Sequence, residues 1–410
     1  MNKLLTLAAA LILAAAVSAQ ASQKIVSFDS AYKSAIERSI AGIGGKVTRK
    51  FALVNALVAE FPEDTKDTKI YSLPGVTDVD EDRYIRWISA PASMNAVPLP
   101  TLAGALDMIR SGEGWTAPAF GEIRAEVDPS EKEIPWGVRR VNAAAAWDLT
   151  AGKGVKVAVV DTGVDYNHPD LAPNYKGGYN AVTPGATPLD DQGHGTHVSG
   201  TIAAAKDNNG VVGVAPAVDL YGVKVLDKNG SGQYSWIVAG IEWAIQNGMH
   251  VINMSLGGGS GTEAMRQVMI KANEAGVTVV CAAGNDSGPV NYPAKYPQAI
   301  AVSASDSSDK LAYFSSRGAE IAMIAPGVSV YSTRKGGGYT SMSGTSMACP
   351  HAAGLAALAV GAGAEGPDAV RAALKAAAVP LPGLKPTDQG AGLVNAGKIK
   401  ENALWYYEIK

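Results

Sequence analysis

From about residue 131 onward, short apolar, β-branched runs alternate with amphipathic helical stretches, and no other feature of the 410 residues constrains the fold as much. "VKVAVVD", "VDLYGVKVL", "HVINMSL", "VTVVCAAG" and "AIAVSAS" are apolar on both faces, as strands covered by helices above and below must be. "SWIVAGIEWAIQNG", "TEAMRQVMIKANEAG" and "GPDAVRAALKAAA" have helical spacing, the last with Pro367 in a first turn, where its missing N–H is tolerated. This alternation predicts one large α/β domain over residues 131–400 built on a mostly parallel sheet. In such a sheet a ligand binds at the carboxyl ends of the strands.

The preceding residues read differently. Lys3 stands before the apolar run "LLTLAAALILAAAV", which ends in small residues at "SAQA"; that pattern predicts an export signal over residues 1–21, cut after Ala19 or Ala21. The run is shorter than the roughly 20 apolar residues of a membrane span. The expected chain is therefore secreted, extracellular or periplasmic, with no membrane partner. Residues 22–88 predict a small α+β unit: strand "KIVSF", a helix with Tyr32, Ile36, Ile40 and Ile43 on one face, two strands turning near Asn55, a short helix, and a last strand in "PGVTDVDEDRYIRW". That order is the split βαβ, ferredoxin-like pattern. Residues 89–130 collect Pro91, Pro98, Pro100, Pro118 and Pro129 around one helical candidate, "LAGALDMIRSG", and read as a linker or insertion. Residues 401–410 form a tail. A formal charge of −3 provides no basic excess to neutralise phosphates, so nucleic acid is not an expected partner. Two cysteines, Cys281 and Cys349, do not make a disulfide scaffold, and a free buried pair is expected.

Four polar residues fall where the predicted strands end or helices begin: Asp161 after "VAVV", His194 in "DQGHGTHVSGT", Asn285 in "CAAGND" and Ser346 in "GTSMACPH". Amide hydrolysis needs a nucleophile, a base, a group that orients the base, and a donor to the oxyanion, and these four supply one of each. A serine at a helix N-terminus exposes its hydroxyl beside unpaired N–H groups and the positive end of the helix dipole. Gly344 and Ala348 keep the approach open. Pro350 is expected early enough in that helix to cost no intrahelical bond.

With the segments "VAVVDTG", "HGTHVSGTIAA", "INMSLGG", "AAGN" and "GTSMACPH" in this order over about residues 131–398, the chain resembles the subtilases, subtilisin-like serine proteases of peptidase family S8. The resemblance implies a three-layer α/β catalytic domain. It makes Ser346 the nucleophile, His194 the general base and then acid, and Asp161 the orienting carboxylate, with the Asn285 side chain and the Ser346 N–H as oxyanion hole. It also implies a polypeptide substrate laid as an added strand against Gly230, Ser231 and Gly232 on one side and Ser255, Leu256, Gly257 and Gly258 on the other. Ala282, Ala283 and Gly284 would wall a first side-chain pocket, with Asn291 towards its base and Asp286 at its rim. Small walls favour a large apolar residue before the cut, and Asp286 would also admit Lys or Arg. Tyr234, Ile237 and Leu256 would line a second, apolar pocket.

The family resemblance further implies a structural Ca²⁺ held by Asp170, Asp207 and the carbonyls of Ala205, Asn209 and Val211 in and around "AAKDNNGVVGV". Lys132 stands where the family often has a glutamine ligand, with Glu131 or Glu133 as substitutes. Through "GGKVTRKF" and "VTDVDEDRYI", residues 22–88 resemble the inhibitory propeptide of the family, an intramolecular partner that assists folding. Self-cleavage is then expected near Ile88–Ser89, followed by trimming between about residues 120 and 132, to give a monomeric enzyme. His197, three residues after His194, finds no third ligand for a metal site, and His168, His197 and His351 are expected to be hydrogen-bonded structural histidines. The rival reading is a catalytically silent binding or chaperone protein that retains the fold.

Overall fold

The computed structural model describes residues 22–88 and 134–401. The signal segment, the Pro-rich stretch with its helical candidate, residues 131–133 and the tail after residue 401 lie outside the described residues. By its contacts the chain divides into a small unit, containing residues 22–50 and 56–81, and a large one, containing residues 51–55 and everything from Asp82 on.

The small unit runs β1 (Ser22–Phe28), α1 (Ile36–Gly42), β2 (Lys46–Lys50), β3 (Ala56–Phe61), α2 (Asp67–Tyr71) and β4 (Val76–Glu81), with sheet order β2-β3-β1-β4, antiparallel throughout. Its core gathers Val26, Phe28, Ile36, Ile40, Leu57, Ala59, Phe61 and Ile70. Ile36 and Ile40 face this core as their spacing predicts. Tyr32 does not: Asp29 caps a separate 3₁₀ turn over Ser30–Tyr32, accepting from the Ala31 N–H, and Tyr32 is exposed. The last predicted strand is also two strands. It stops at Glu81, and β5 (Tyr84–Arg86) pairs within the large unit.

In the large unit the elements after β5 are α3 (Trp136–Arg140), β6 (Lys156–Asp161), β7 (Tyr175–Asn180), α4 (His194–Ala203), β8 (Asp219–Lys224), β9 (Ser231–Gln233), α5 (Tyr234–Gln246), β10 (Val251–Met254), α6 (Glu263–Glu274), β11 (Thr278–Ala282) and β12 (Ala299–Ser305). They continue with β13 (Ile321–Pro326), β14 (Val330–Thr333), β15 (Tyr339–Met342), α7 (Thr345–Gly361), α8 (Gly366–Ala377), β16 (Ala378–Val379), α9 (Pro386–Gln389) and β17 (Leu393–Val394). The main sheet has the order β16-β17-β13-β12-β11-β10-β6-β8-β7 and is parallel except where β16 meets β17. All five predicted strands lie in it.

Two features of this sheet position the site. From β6 the chain runs to β7 and β8 on one side and then crosses to β10 on the other, so β6 is where the strand order reverses, the place where such sheets open a crevice at the strands' carboxyl ends. Asp161 is the last residue of β6. Helix α7 packs along β10 to β13 and against α4, and every residue from Thr345 to Ala359 is buried. A helix apolar all round belongs in an interior, which is why its first turn, with Ser346, is held so firmly.

Candidate active site

At the end of β6 the Asp161 carboxylate is fully buried. Its Oδ1 accepts from the following Thr162 N–H at 2.7 Å, and His194 Nδ1 lies 2.8 Å from Oδ1 and 3.0 Å from Oδ2. The neutral imidazole therefore carries its proton on Nδ1 and presents Nε2 as the base. Close approach of α4 to the strand end makes this contact possible. A Cβ on Gly195 would stand 2.1 Å from the Gly163 carbonyl oxygen and 3.2 Å from the Asp161 side chain, so glycine is required there. Burial of His194 opposes charging the ring, yet Asp161, through its charge and hydrogen bond, and Asp190, through its charge, hold the pKa above the ordinary histidine value.

Ser346 is the second residue of α7. Its hydroxyl donates to the Ser255 carbonyl at 3.1 Å, and His194 Nε2 makes no hydrogen bond among the described residues. Ser255 in turn donates its own hydroxyl to the Ser346 carbonyl at 2.8 Å and accepts from Asn253 Nδ2 at 3.0 Å. This bond corrects the expectation for Pro350. The proline lies inside α7, and in the i to i−4 pattern its absent N–H would have met the Ser346 carbonyl. The Ser255 hydroxyl takes that carbonyl instead, so the loss is compensated from β10's end rather than avoided.

After β11, Asn285 is fixed through its carbonyl oxygen, which accepts from both the N–H and the hydroxyl of Thr345 at 2.9 Å. Asn285 and Ser346 then line one pocket together with Leu256, Gly257, Ala282, Gly284, Asn291, Thr345 and Trp87. Ala283 is buried, with its carbonyl accepting from the Asn291 N–H at 2.8 Å. Gly284 has a φ of +117°, and a Cβ there would meet Asn291 Nδ2 at 2.6 Å. The Asn291 carboxamide thus lies against both Gly257 and Gly284 and donates to Asp286 at 3.0 Å.

The two edges expected to take a substrate strand pair here with this chain's own residues. β5 runs antiparallel to β9, pairing Tyr84 with Gln233, Ile85 with Gly232 and Arg86 with Ser231. Beyond it the Trp87 and Ile88 N–H groups point to the Gly230 carbonyl at 3.0 and 3.3 Å, and the Gly257 N–H donates to the Trp87 carbonyl at 3.0 Å. Gly258 lines the same edge, where an added Cβ would lie 3.1 Å from the Trp87 ring. The Trp87 indole donates to the Gly232 carbonyl at 2.9 Å and stacks edge-on against Tyr234, with centroids 4.9 Å apart. Tyr234, Ile237 and Leu256 are all buried.

The remaining expected residues separate into two groups. Asp170 is buried beside the loop of Ala205, Asp207, Asn209 and Val211: its Oδ2 accepts from the Val211 N–H at 3.0 Å, its Oδ1 from the Tyr339 hydroxyl at 3.1 Å, and its carbonyl from the Ala205 N–H at 2.8 Å. Burial raises the Asp170 pKa. No group of three or more His, Cys, Asp or Glu able to hold a metal occurs among the described residues, so a cation here would rely on the three carbonyls. Two carboxylates, one of them desolvated, with a loop of carbonyls nonetheless form a hard-oxygen donor set that fits Ca²⁺. Lys132, Glu131 and Glu133 lie outside the described residues.

The second group is structural. His197 Nε2 bonds to the Val330 and Thr340 carbonyls, His168 Nε2 to the Gly338 carbonyl and His351 Nδ1 to the Met347 carbonyl. Burial, with the neighbouring His194, lowers the His197 pKa to about 3, and burial lowers that of His351 to about 4. Cys281 and Cys349 are free and buried, and burial raises both thiols above the ordinary cysteine value. Sequence reasoning missed Asp190, Thr162 and Lys224, which pack around Asp161 and the start of α4. Acidic and hydroxyl residues beside a Gly-rich turn are too common to single out without coordinates.

Comparison with known proteins shows the family of the chain. The model of the Subtilase family, Peptidase_S8, matches residues 152–396. Subtilisin E of Bacillus subtilis (strain 168) is 52% identical over 234 residues, covering 55% of this chain and 61% of the relative. Subtilisin of Bacillus pumilus is 52% identical over 234 residues, covering 55% and 84%, and M-protease of Shouchella clausii (strain KSM-K16) is 49% identical over 242 residues, covering 58% and 63%. The match thus spans about three fifths of the length of subtilisin E. With the motifs in order, the parallel sheet beneath them and a family match over more than half of its length, the chain belongs to the subtilase family.

Proposed function

We propose that this chain is a secreted serine endopeptidase that hydrolyses peptide bonds through an acyl-enzyme. The observation that carries the reading is the Asp161–His194 pair at the end of β6, with Asn285 and Ser346 sharing one pocket beside it. Ser346 Oγ turns from the Ser255 carbonyl to His194 Nε2, loses its proton to it and attacks the scissile carbonyl carbon. The oxyanion forms against Asn285 Nδ2 and the Ser346 N–H, and the Asp161 carboxylate stabilises the imidazolium. As the C–N bond breaks, His194 returns the proton to the leaving amine. Water, deprotonated by the same imidazole, then releases the acyl group. An apolar residue before the cut fits between Leu256–Gly257 and Ala282–Gly284, with Asn291 towards the base.

Two further readings support a secreted zymogen. Residues 22–88 act as an inhibitory propeptide, because Tyr84–Ile88 occupies the edges on which a substrate strand would pair. Ca²⁺ held by Asp170, Asp207 and the carbonyls of Ala205, Asn209 and Val211 stabilises the loop between α4 and β8, and it takes no part in bond breaking.

Expressing the wild type beside Ser346→Ala tests activity and self-processing together. A serine-directed covalent probe should label the wild type at Ser346, and its new N-terminus should follow the region of Ile88. The variant should take no label and keep residues 22–88 attached. A wild type that resists the probe and cleaves no peptide is the silent protein of the rival reading; identical N-termini in both chains assign maturation to another protease.

A further inference from the structure

The loop before α4 holds a second carboxylate that the family resemblance leaves without a role. Asp190 is buried, and five donors converge on it. Its Oδ1 accepts from the Thr162 hydroxyl at 2.9 Å and from the Gln192 and Gly193 N–H groups at 2.9 and 2.8 Å. Its Oδ2 accepts from the Thr196 N–H at 2.9 Å and the Thr196 hydroxyl at 2.6 Å. These partners flank the triad on both sides. Thr162 follows Asp161, donates its N–H to Oδ1 of that carboxylate, and receives the Gly195 N–H on its own hydroxyl at 2.9 Å. Gly193, Gly195 and Thr196 bracket His194 at the start of α4.

We propose that Asp190 is a positioning residue of the triad, a buried carboxylate that clamps the turn after Asp161 to the first turn of α4 and sets a second negative charge near His194. The proposal rests on the serine protease reading above. Its charge is met by hydrogen-bond donors and by the N-terminus of α4 rather than by a direct cation. Lys224, the nearest ammonium along β8, is engaged by the Thr162 and Leu226 carbonyls at 2.7 and 2.8 Å and by Asp191 at 2.6 Å. A charge so placed acts where screening is weak. It favours the imidazolium that forms during catalysis, and it adds to Asp161 in raising the His194 pKa.

The other titratable groups around His194 work differently. Asp161 faces it from β6, His197 lies one turn on in α4 and stays neutral, and Cys349 on α7 stays a neutral thiol. Asp165, whose N–H donates to Thr196, spends Oδ1 on the Asn167 N–H and Oδ2 on the Gly336 N–H. Asp190 is therefore the charge beyond Asp161 that is tied to the base's own turn.

The test is Asp190→Asn in the full chain, read by the titration of the His194 imidazole in NMR, which the total of 5 histidines makes assignable. The His194 midpoint should fall by about half a pH unit or more, the shift should persist at high salt, and kcat should drop more than KM changes. An unchanged His194 midpoint with only a lower melting temperature would overturn the proposal and leave Asp190 a structural clamp. Because the titration does not need turnover, it still answers if the serine protease reading fails. Should the Asn variant not fold, Thr162→Val keeps the charge and cuts its link to Asp161. Turnover should then fall roughly ten-fold at unchanged KM, by loss of triad alignment, and unchanged turnover would equally overturn the proposal.

Discussion

Under the proposed mechanism Asn285 has two duties on one side chain. Its carbonyl oxygen accepts two bonds from Thr345, fixing the carboxamide plane, and the residue lines the same pocket as Ser346. A donor held in this way costs no reorganisation when charge develops on a substrate oxygen, so its effect falls on the transition state. Asn285→Ala should lower kcat by roughly 10²- to 10³-fold, the loss characteristic of such a donor in this family, with KM little changed. Steady-state kinetics on a peptide substrate checks this, and an unaltered kcat would remove Asn285 from the mechanism. The same variant leaves the Thr345 N–H and hydroxyl short of an acceptor, so a modest loss of stability, on the order of 1 kcal/mol, should accompany it.

At the scale of elements, what could be read in the sequence was what is local. β6, β8, β10, β11 and β12 are apolar, β-branched runs, and α5, α6 and α8 carry helical periodicity, so each declares itself within its own residues. β7 is "YKGGYN", with two glycines and a lysine, and its strand character comes only from pairing with β8. β5 escaped for the same reason: it continues β4 in sequence, yet its partner is β9, some 147 residues away as Tyr84 and Ser231 are counted. Asp161, His194, Asn285 and Ser346 could be singled out because their residue types are chemically distinctive at strand and helix ends. The Asp190 clamp could not, because its meaning lies in five convergent donors from separate positions. Helices α4 and α7 also bury His197 and His351 neutral, with pKa values lowered to about 3 and about 4. A folded state that resists protonation loses stability as pH falls from the ordinary histidine value of about 6.5 towards those values, since the unfolded chain binds the protons more readily. Thermal melts of Ser346→Ala, which avoid self-digestion, should therefore show a midpoint that drops from pH 7 to pH 4. His351→Asn should flatten part of that slope while lowering the midpoint at pH 7; an unchanged slope would mean that other groups govern the acid transition.

For the whole molecule, the decisive question is what holds the loop between α4 and β8 against local opening and cleavage. That loop turns through positive φ at Asn208 and Gly210, and Asp207 is exposed, with its Oδ1 on the Asn209 N–H. Asp170 anchors it from a buried position, a carboxylate whose charged form is disfavoured by burial and by the charge of Asp207. A bound Ca²⁺ would offset that cost and tie the loop to the segment after β6. An ion that binds the folded state alone stabilises it by mass action, about 2.7 kcal/mol at 100 times its Kd. For a catalytic domain of this size, chelation should then lower the melting temperature by roughly 5–10 °C. Self-digestion should quicken in step, because an opened loop is a cleavable one. Asp207→Ala should reproduce the chelated melt and respond little to added Ca²⁺, whereas a variant distant from the loop should respond as the wild type does. Melting curves of the wild type that coincide with and without chelator, at Ca²⁺ concentrations that would fill the site, would show that Asp170 and its hydrogen bonds to Val211 and Tyr339 hold the loop unaided.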